Sequence, residues 1–256
     1  MMPHLDVNSD MGERNTPEGL AIDAAMMPFI TSVNIACGGH AGTPELMRRT
    51  ARLAAEHGVA IGAHPGLRDP EQFGRAERTL VPQEVEALVA DQIDTLIDVL
   101  APDRFRIAHV KPHGALYNMA AKDPDIAQAI VRAVRAADRT LFLYALAGSV
   151  LANAAQAAGL PVVHEAFADR AYRADGTLVP RSEKGAVLQT EEEVRRQLRQ
   201  LTMGFVTSID GQTVPIRADS LCLHSDTPHA VSLARMIRYE LQAADIPIAA
   251  MRHDHR

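Results

Sequence analysis

Apolar and polar positions along the chain fall into two alternating kinds of segment. Short β-type runs occupy His4–Asn8, Ser32–Ala36, Val59–Ala63, Arg106–Lys111, Leu141–Ala145, Val162–Ala166 and Ser220–His224. Longer amphipathic runs lie between them, at Pro44–His57, Pro82–Leu100, Pro124–Ala137, Ser149–Ala158, Glu191–Thr202 and Pro228–Gln242, and read as helices. Several helix starts are chemically marked. Thr43-Pro44-Glu45 sets a capping residue before a proline at the first helical position, where the missing N–H costs nothing. Asp123-Pro124 and Thr227-Pro228 repeat the device, and Thr190 precedes the acids Glu191–Glu193, which suit a helix N-terminus.

Strands that alternate with helices imply βα units and a mainly parallel sheet, either closed into a barrel or open and doubly wound. Two stretches break the rhythm. Arg170–Gln189, with the turn signal Ala174-Asp175-Gly176-Thr177, reads as a hairpin-like insertion. Val206–Asp210 and Thr213–Arg217, joined by Gly211-Gln212, read as a second short hairpin. The chain has no internal repeat, low-complexity tract or linker, so residues 1–256 are expected to form a single α/β domain.

The candidate chemistry collects just after the strands. The first runs into Asn8-Ser9-Asp10-Met11-Gly12-Glu13, the second into Cys37-Gly38-Gly39-His40, the third into His64-Pro65-Gly66 and the fourth into Lys111-Pro112-His113-Gly114. Later ones end in Glu165-Ala166-Phe167-Ala168-Asp169-Arg170 and His224-Ser225-Asp226. In a parallel α/β domain the carboxyl ends of the strands share one rim, and active sites lie there. Asp10, His40, His64, His113, Glu165 and Asp226 are therefore expected on one rim. Side chains alternate faces along a strand, so Asp6, Asn8 and Asp10 share a face, as do His109, Lys111 and His113. Such polar groups inside a barrel must either bond one another or line a solvated pocket, because an unpaired one costs several kcal/mol. Any one of these histidines alone is more simply a bonded structural residue; four on one rim favour a pocket. Lys111, between two histidines, suits the binding of negative charge. Cys37 fits a buried small hydrophobe better than a nucleophile.

A metal is the rival reading of Asp10, His40, His64 and His113, since imidazole and carboxylate suit Zn, Mn or Ni. No H-x-x-E-H, H-E-x-x-H or H-x-x-x-H spacing anchors two ligands on one element, so a divalent metal stays an open alternative. Phosphate loops of the G-x-x-x-x-G-K-[ST] and G-x-G-x-x-G kinds are also missing, so ATP, if used, is not held here by a P-loop.

Composition narrows the partners. Apolar residues make up 47% and charged residues 23%, which permits an ordinary core. The net charge of −6 comes without a basic face for a phosphate backbone, and the absence of Trp with only 4% aromatics disfavours base-stacking surfaces, so no nucleic acid is expected. Cys37 and Cys222 lie in separate apolar segments and do not indicate a disulfide scaffold. The N-terminal segment has no apolar signal core, and no run is long enough to span a membrane, so a cytoplasmic protein is expected.

The motifs Asp6-Val7-Asn8-Ser9-Asp10-Met11-Gly12-Glu13, Asn34–Gly42, Gly62–Gly66, Phe73-Gly74-Arg75, Val110–Asn118, Glu165–Tyr172, Asp175-Gly176, Pro180-Arg181 and Cys222–Asp226 follow one another in the order of the LamB/YcsF family, the 5-oxoprolinase A subunits. The chain resembles that family from residue 6 to about residue 242. The resemblance implies an irregular (β/α) TIM-like barrel of about seven strands, of the glycoside hydrolase/deacetylase kind. It implies a complex with 5-oxoprolinase subunits B and C that cleaves 5-oxo-L-proline to L-glutamate while hydrolysing ATP to ADP and phosphate. ATP is then a co-substrate of the complex, with no cofactor clearly bound by this chain. Phosphorylating the lactam oxygen makes it a leaving group and exposes the ring carbon to water. On this reading Asp10, His40, His64, His113 and His224 form the catalytic set. Asp10 or His64 acts as base, and His113 or His224 protonates the ring nitrogen. Asp6, Asn8, Asn34, Lys111, Glu165, Asp169, Arg170 and Asp226 form the substrate-binding set, with Lys111 and Arg170 neutralising phosphate or carboxylate. Gly39 stands where the family commonly has Phe, Leu67 where it has an aromatic, and Ala166 and Ser225 where it has Gly; the first two are expected to reshape the pocket. A stand-alone metal-dependent amide hydrolase or deacetylase, and a non-catalytic scaffold subunit of a lactam-utilising complex, are the alternatives.

Overall fold

The computed structural model describes residues 4–227 and 229–253, and in it seven parallel strands close on themselves as a barrel. In chain order the elements are β1 (Asp6–Met11), α1 (Pro17–Met26), β2 (Ser32–Ala36), α2 (Pro44–Glu56), β3 (Ala60–His64), α3 (Pro82–Leu100), β4 (His109–Val110), α4 (Gly114–Ala120), α5 (Pro124–Ala137), β5 (Phe142–Leu146), α6 (Val150–Ala157), β6 (Val162–Phe167), α7 (Glu191–Thr202), β7 (Phe205–Thr207), β8 (Thr213–Pro215), β9 (Ser220–Cys222) and α8 (Ala230–Ala243). Each barrel strand pairs with the next, and β9 closes the ring between β6 and β1, with Glu165 opposite Ser220 and Asn8 opposite Cys222. Among the described residues only β7 and β8 stand outside, as the expected antiparallel hairpin. The Arg170–Gln189 insertion also folds back on itself, through bridges of Arg170 with Val187 and Tyr172 with Leu178.

The marked helix starts work as caps. Thr43 Oγ1 accepts from the Leu46 N–H, Asp123 from Asp125 and Ile126, and Thr190 and Glu193 cap one another reciprocally. Two helices are not legible in the pattern. α1 carries apolar residues in a block and so lacks a clear period, although Thr16-Pro17 caps it in the same way as Thr43-Pro44. α4 has seven residues, too few to display a period. The run Arg106–Lys111 yields only His109–Val110 as strand, yet its backbone stays tied to β3 on both sides, from Ala108 N to Ile61 O at 2.7 Å and from Lys111 N to Ala63 O at 2.9 Å. Pro228, the expected start of the last helix, lies outside the described residues.

The strands are apolar outward and polar inward. Val7, Val33, Ile35, Ile61, Val110, Leu143 and Leu221 face the helices and join Met47, Val89, Ile93, Leu96, Ile130, Val134 and Ile237 in one buried cluster. Burying each such side chain contributes roughly 1.5–3 kcal/mol. The inward residues Asp6, Asn8, Ser32, Asn34, His109, Glu165 and Ser220 are all buried. They bond one another. Asp6 accepts from Thr31 (2.6 Å), Ser32 (2.7 Å), Tyr144 (3.0 Å) and Ser220 (2.5 Å). Asn34 Nδ2 donates to Asn8 Oδ1 (2.7 Å) and Asp10 Oδ1 (2.8 Å), and its Oδ1 accepts from His109 Nε2 (2.7 Å). The His109 ring needs the space over Gly62, where a Cβ would meet Nε2 at 2.1 Å. Among the described residues no helix is long and apolar enough to cross a membrane.

Asp23 on α1 braces the end of β1 by accepting the Gly12 N–H at 3.1 Å, and burial, with Glu13 nearby, pushes its carboxyl up from the ordinary 3.8 to about 6. A folded-state value raised above the unfolded one means that ionisation costs stability as pH climbs through that window. Asp23→Asn should therefore gain stability relative to the parent between pH 4 and pH 7, by about 2–3 kcal/mol at the upper end. Urea midpoints across that range test this; a gap independent of pH would contradict it.

Candidate active site

The carboxyl ends of the strands surround a cavity of about 500 Å³. Asp10 enters it from β1, His64 from the end of β3, Lys111 and His113 from the loop after β4, Phe167 from β6 and His224 from the loop after β9. The insertion covers one side with Arg170, Pro180 and Arg181. The floor is the bonded polar layer inside the barrel.

Lys111 joins floor and wall. Its ammonium, 2% exposed, lies 3.0 Å from Asp10 Oδ1, 2.9 Å from Glu165 Oε1, 3.2 Å from Asn8 Oδ1 and 3.0 Å from Cys222 Sγ. Burial opposes its charge, but Asp10, Cys222 and Glu165 hold it well above the ordinary lysine value. Burial likewise opposes the charge on Asp10, and His64 and Lys111 beside it hold that carboxyl well below the usual range. Asp10 is thus an ionised carboxylate with Oδ1 tied to the floor and Oδ2 turned to the histidines, 3.2 Å from His64 Nε2 and 4.0 Å from His224 Nε2.

Two histidine arrangements flank that carboxylate. On one side Asp169 Oδ2 accepts from His224 Nδ1 at 3.1 Å and from Thr227 Oγ1 at 2.6 Å. Burial works against the Asp169 charge, and His224 more than restores it, so the carboxyl stays low. His224 is thereby oriented with Nε2 toward the cavity. On the other side Glu13 Oε1 lies 3.1 Å from His40 Nε2, 3.4 Å from His113 Nδ1 and 3.9 Å from His64 Nε2. The His40 and His113 rings stack at 3.6 Å. Glu13, His40, His64 and His113 can together hold a metal ion, as can Asp10, Cys222 and His224. The second group is the poorer one, because burial pushes the Cys222 thiol up and its sulfur already accepts from Lys111.

The family model for LamB/YcsF matches residues 5–256. The chain belongs to the LamB/YcsF family. It is 49% identical over 247 residues to the 5-oxoprolinase A-type subunit of Symbiobacterium thermophilum, covering 96% of this chain and 95% of that one. The corresponding 5-oxoprolinase A-type subunit of Bordetella pertussis is 48% identical over 251 residues, covering 98% and 100%. The crystal structure of a lactam utilization protein from Thermus thermophilus superposes with a TM-score of 0.88 at 42% identity, over 97% of this chain and 100% of that one.

The expected site residues of this family member divide into three depths. Asp10, His64, Lys111, His113, Arg170 and His224 line the cavity. His40, Asp169 and Asp226 stand behind that wall: His40 against His113, Asp169 against His224, and Asp226 in ion pairs with Arg75 (2.5 Å) and Arg181 (3.7 Å). Asp6, Asn8, Asn34 and Glu165 lie below it, with their polar atoms taken by one another and by Ser32, Tyr117, Tyr144 and Ser220. They build the floor and do not reach the cavity. Arg170 spends its Nε and Nη2 donors on the Ala186 and Val179 carbonyls, which staples the insertion shut and leaves little of the fork for an anion. Arg75 and Arg181 take that position on the cavity wall instead. Neither they nor Glu13 nor Tyr117 stood among the expected site residues, although all four lie in the family motifs. For Glu13 a signal was present in Gly12 at the end of β1: it adopts φ 70°, and that turn brings the next side chain against His40, His64 and His113.

Neither Gly39 nor Leu67 lines the cavity. A Cβ on Gly39 would meet Gln92 Oε1 at 2.3 Å, so Gln92 fills the space and bonds Gly66 N (3.0 Å) and Gly66 O (2.8 Å). Leu67 is fully buried in the core cluster.

Removing the ammonium should damage the fold before the chemistry. Lys111→Met keeps the length but leaves Asp10 and Glu165 buried without a cation, which typically costs about 3–5 kcal/mol. Denaturant titration measures the loss; parental stability would show that the ammonium does not carry this load.

Proposed function

We propose that this chain is the barrel subunit of an ATP-dependent 5-oxoprolinase, forming one domain over residues 1–256. The complex, with B- and C-type subunits, opens 5-oxo-L-proline to L-glutamate in the cytoplasm while ATP becomes ADP and phosphate. The full-length likeness to 5-oxoprolinase A-type subunits supports the substrate. The observation that carries the chemistry is the Asp169–His224 pair aimed into the cavity beside ionised Asp10.

A lactam is a stable amide, so the ring carbon needs activation. Transfer of the γ-phosphoryl group to the lactam oxygen, with release of ADP and of the N–H proton, gives a cyclic imidate phosphate. With no phosphate-loop motif in this chain, the partner subunits supply the ATP site. Water then adds to the C=N carbon. If the phosphate left at that stage, the lactam would simply re-form. Productive opening must break the C–N bond, so the nitrogen has to be protonated as it departs. His224 Nε2 takes a proton from the water and returns it to nitrogen, both water hydrogens end on the amine, and γ-glutamyl phosphate forms; a second water releases phosphate and leaves glutamate. Asp10 stabilises the transient imidazolium, Asp169 fixes its tautomer, and Arg75 and Arg181 face the phosphoryl or carboxylate group.

In the reconstituted three-subunit complex, His224→Asn should lower glutamate formation by about 10²–10⁴-fold while the variant assembles normally. The isolated chain should neither form glutamate nor release ADP. Full turnover by His224→Asn would remove the proton-transfer role, and robust turnover by the chain alone would overturn the division of labour.

A further inference from the structure

The histidine group beside Glu13 has a bonding problem that its own residues do not solve. His64 Nδ1 lies 2.7 Å from the Lys111 carbonyl, and His113 Nε2 lies 2.9 Å from the Phe73 carbonyl. A carbonyl can only accept, so each of those nitrogens carries its N–H outward. With both rings neutral, the remaining nitrogens, His64 Nε2 and His113 Nδ1, present lone pairs to one another at 2.9 Å. Around them stand only further acceptors: Asp10 Oδ2 at 3.2 Å from His64 Nε2, and Glu13 Oε1 at 3.4 Å from His113 Nδ1. Four acceptors, all buried or nearly so, converge on a space that only a positive centre can satisfy.

We propose that this space binds a divalent first-row transition ion of the Zn²⁺, Co²⁺ or Ni²⁺ class, held by His64 Nε2, His113 Nδ1, Glu13 Oε1 and, with its ring turned out of the stack on His113, His40 Nε2. The four ligand atoms lie within 4.8 Å of one another, and the separations of Glu13 from the three histidines and of His64 from His113 run from 2.9 Å to 3.9 Å. Tetrahedral coordination with bonds of about 2.1 Å needs ligand separations of about 3.4 Å, the middle of that range. The two backbone carbonyls act as outer partners that fix ring orientation and tautomer, a usual support for metal-bound histidine. His40 Nδ1 has no partner among the described residues, so that ring is free to carry its proton there and offer Nε2. Three imidazoles with one carboxylate match this ion class better than Mg²⁺ or Ca²⁺, which prefer oxygen. His64 and His113 also line the cavity, so a bound ion would be within reach of an oxygen placed there. Ion binding stands apart from the 5-oxoprolinase reading, because it does not require turnover.

The full-length chain, stripped with a chelator and dialysed, should take up about one equivalent of Co²⁺ or Zn²⁺ in calorimetric titration, with visible d–d bands for Co²⁺ and a raised melting temperature. Loss of an outer partner alone typically costs about 10–100-fold in affinity, so Glu13→Gln and His113→Ala should each weaken binding by at least that much. Glu13→Gln is nearly isosteric and keeps the test available if His113→Ala does not fold. His57→Gln, at an exposed histidine on the far end of α2, should bind as the parent does. A folded parent that takes up neither ion, or parental affinity in Glu13→Gln, would overturn the proposal and leave a shared proton as what reconciles His64 with His113.

Discussion

Lys111 places an ammonium between the carboxylates of Asp10 and Glu165, with Asn8 and Cys222 completing its shell, and the polar interior of the barrel depends on that contact. An ammonium has three donors and no acceptor, and here every neighbour accepts. Without it, two buried carboxylates would face one another across a low-dielectric space and at least one would have to take up a proton. With it, Asp10 remains ionised at the base of the cavity. The same residue ties three strands together, since Asp10 comes from β1, Glu165 from β6 and Cys222 from β9.

The ionised Asp10 divides the cavity electrostatically. Toward Asp169 it faces a histidine already oriented by a second carboxylate, an arrangement suited to moving protons. Toward Glu13 it faces histidines whose N–H groups are turned away to backbone carbonyls, an arrangement suited to receiving positive charge. Both use the rule that the partner of one imidazole nitrogen decides what the other can do. They differ in whether that partner is a carboxylate or a carbonyl.

The barrel reverses the usual interior of its class. TIM-type barrels commonly fill the centre with Val, Ile and Leu. This one is polar, and its donors and acceptors are matched: Asp6 alone satisfies three hydroxyl groups within the layer and a fourth from Thr31. A matched network also holds its members in one geometry, since each has its bonding capacity filled by fixed neighbours. That rigidity passes upward to Asp10 and Lys111, which the cavity uses.

By itself the sequence determined the alternation of strands and helices, the capped helix starts, the two hairpin interruptions and the family motifs, because each of these is local in the chain. It also determined that Asp10, His64, His113 and His224 lie at or just beyond the carboxyl ends of strands, and in a parallel barrel that is enough to bring them to one mouth. It did not determine depth. Asp6 and Asp10 share one face of one strand, yet Asp6 is a floor residue with four hydroxyl partners and Asp10 is on the wall. That difference comes from register, with Asn8 opposite Ser32 and Asp10 opposite Asn34, and from which neighbours the closed ring supplies. Nor did it determine what Arg170 and Glu13 do. The Arg170 guanidinium is consumed by carbonyls of the insertion that surround it only once the hairpin has folded, and Glu13 reaches three histidines from three other segments only because the chain turns at Gly12. Hydrogen-bond partners distant in sequence are set by tertiary packing, and at this site they decide which polar residues build the barrel and which face the cavity.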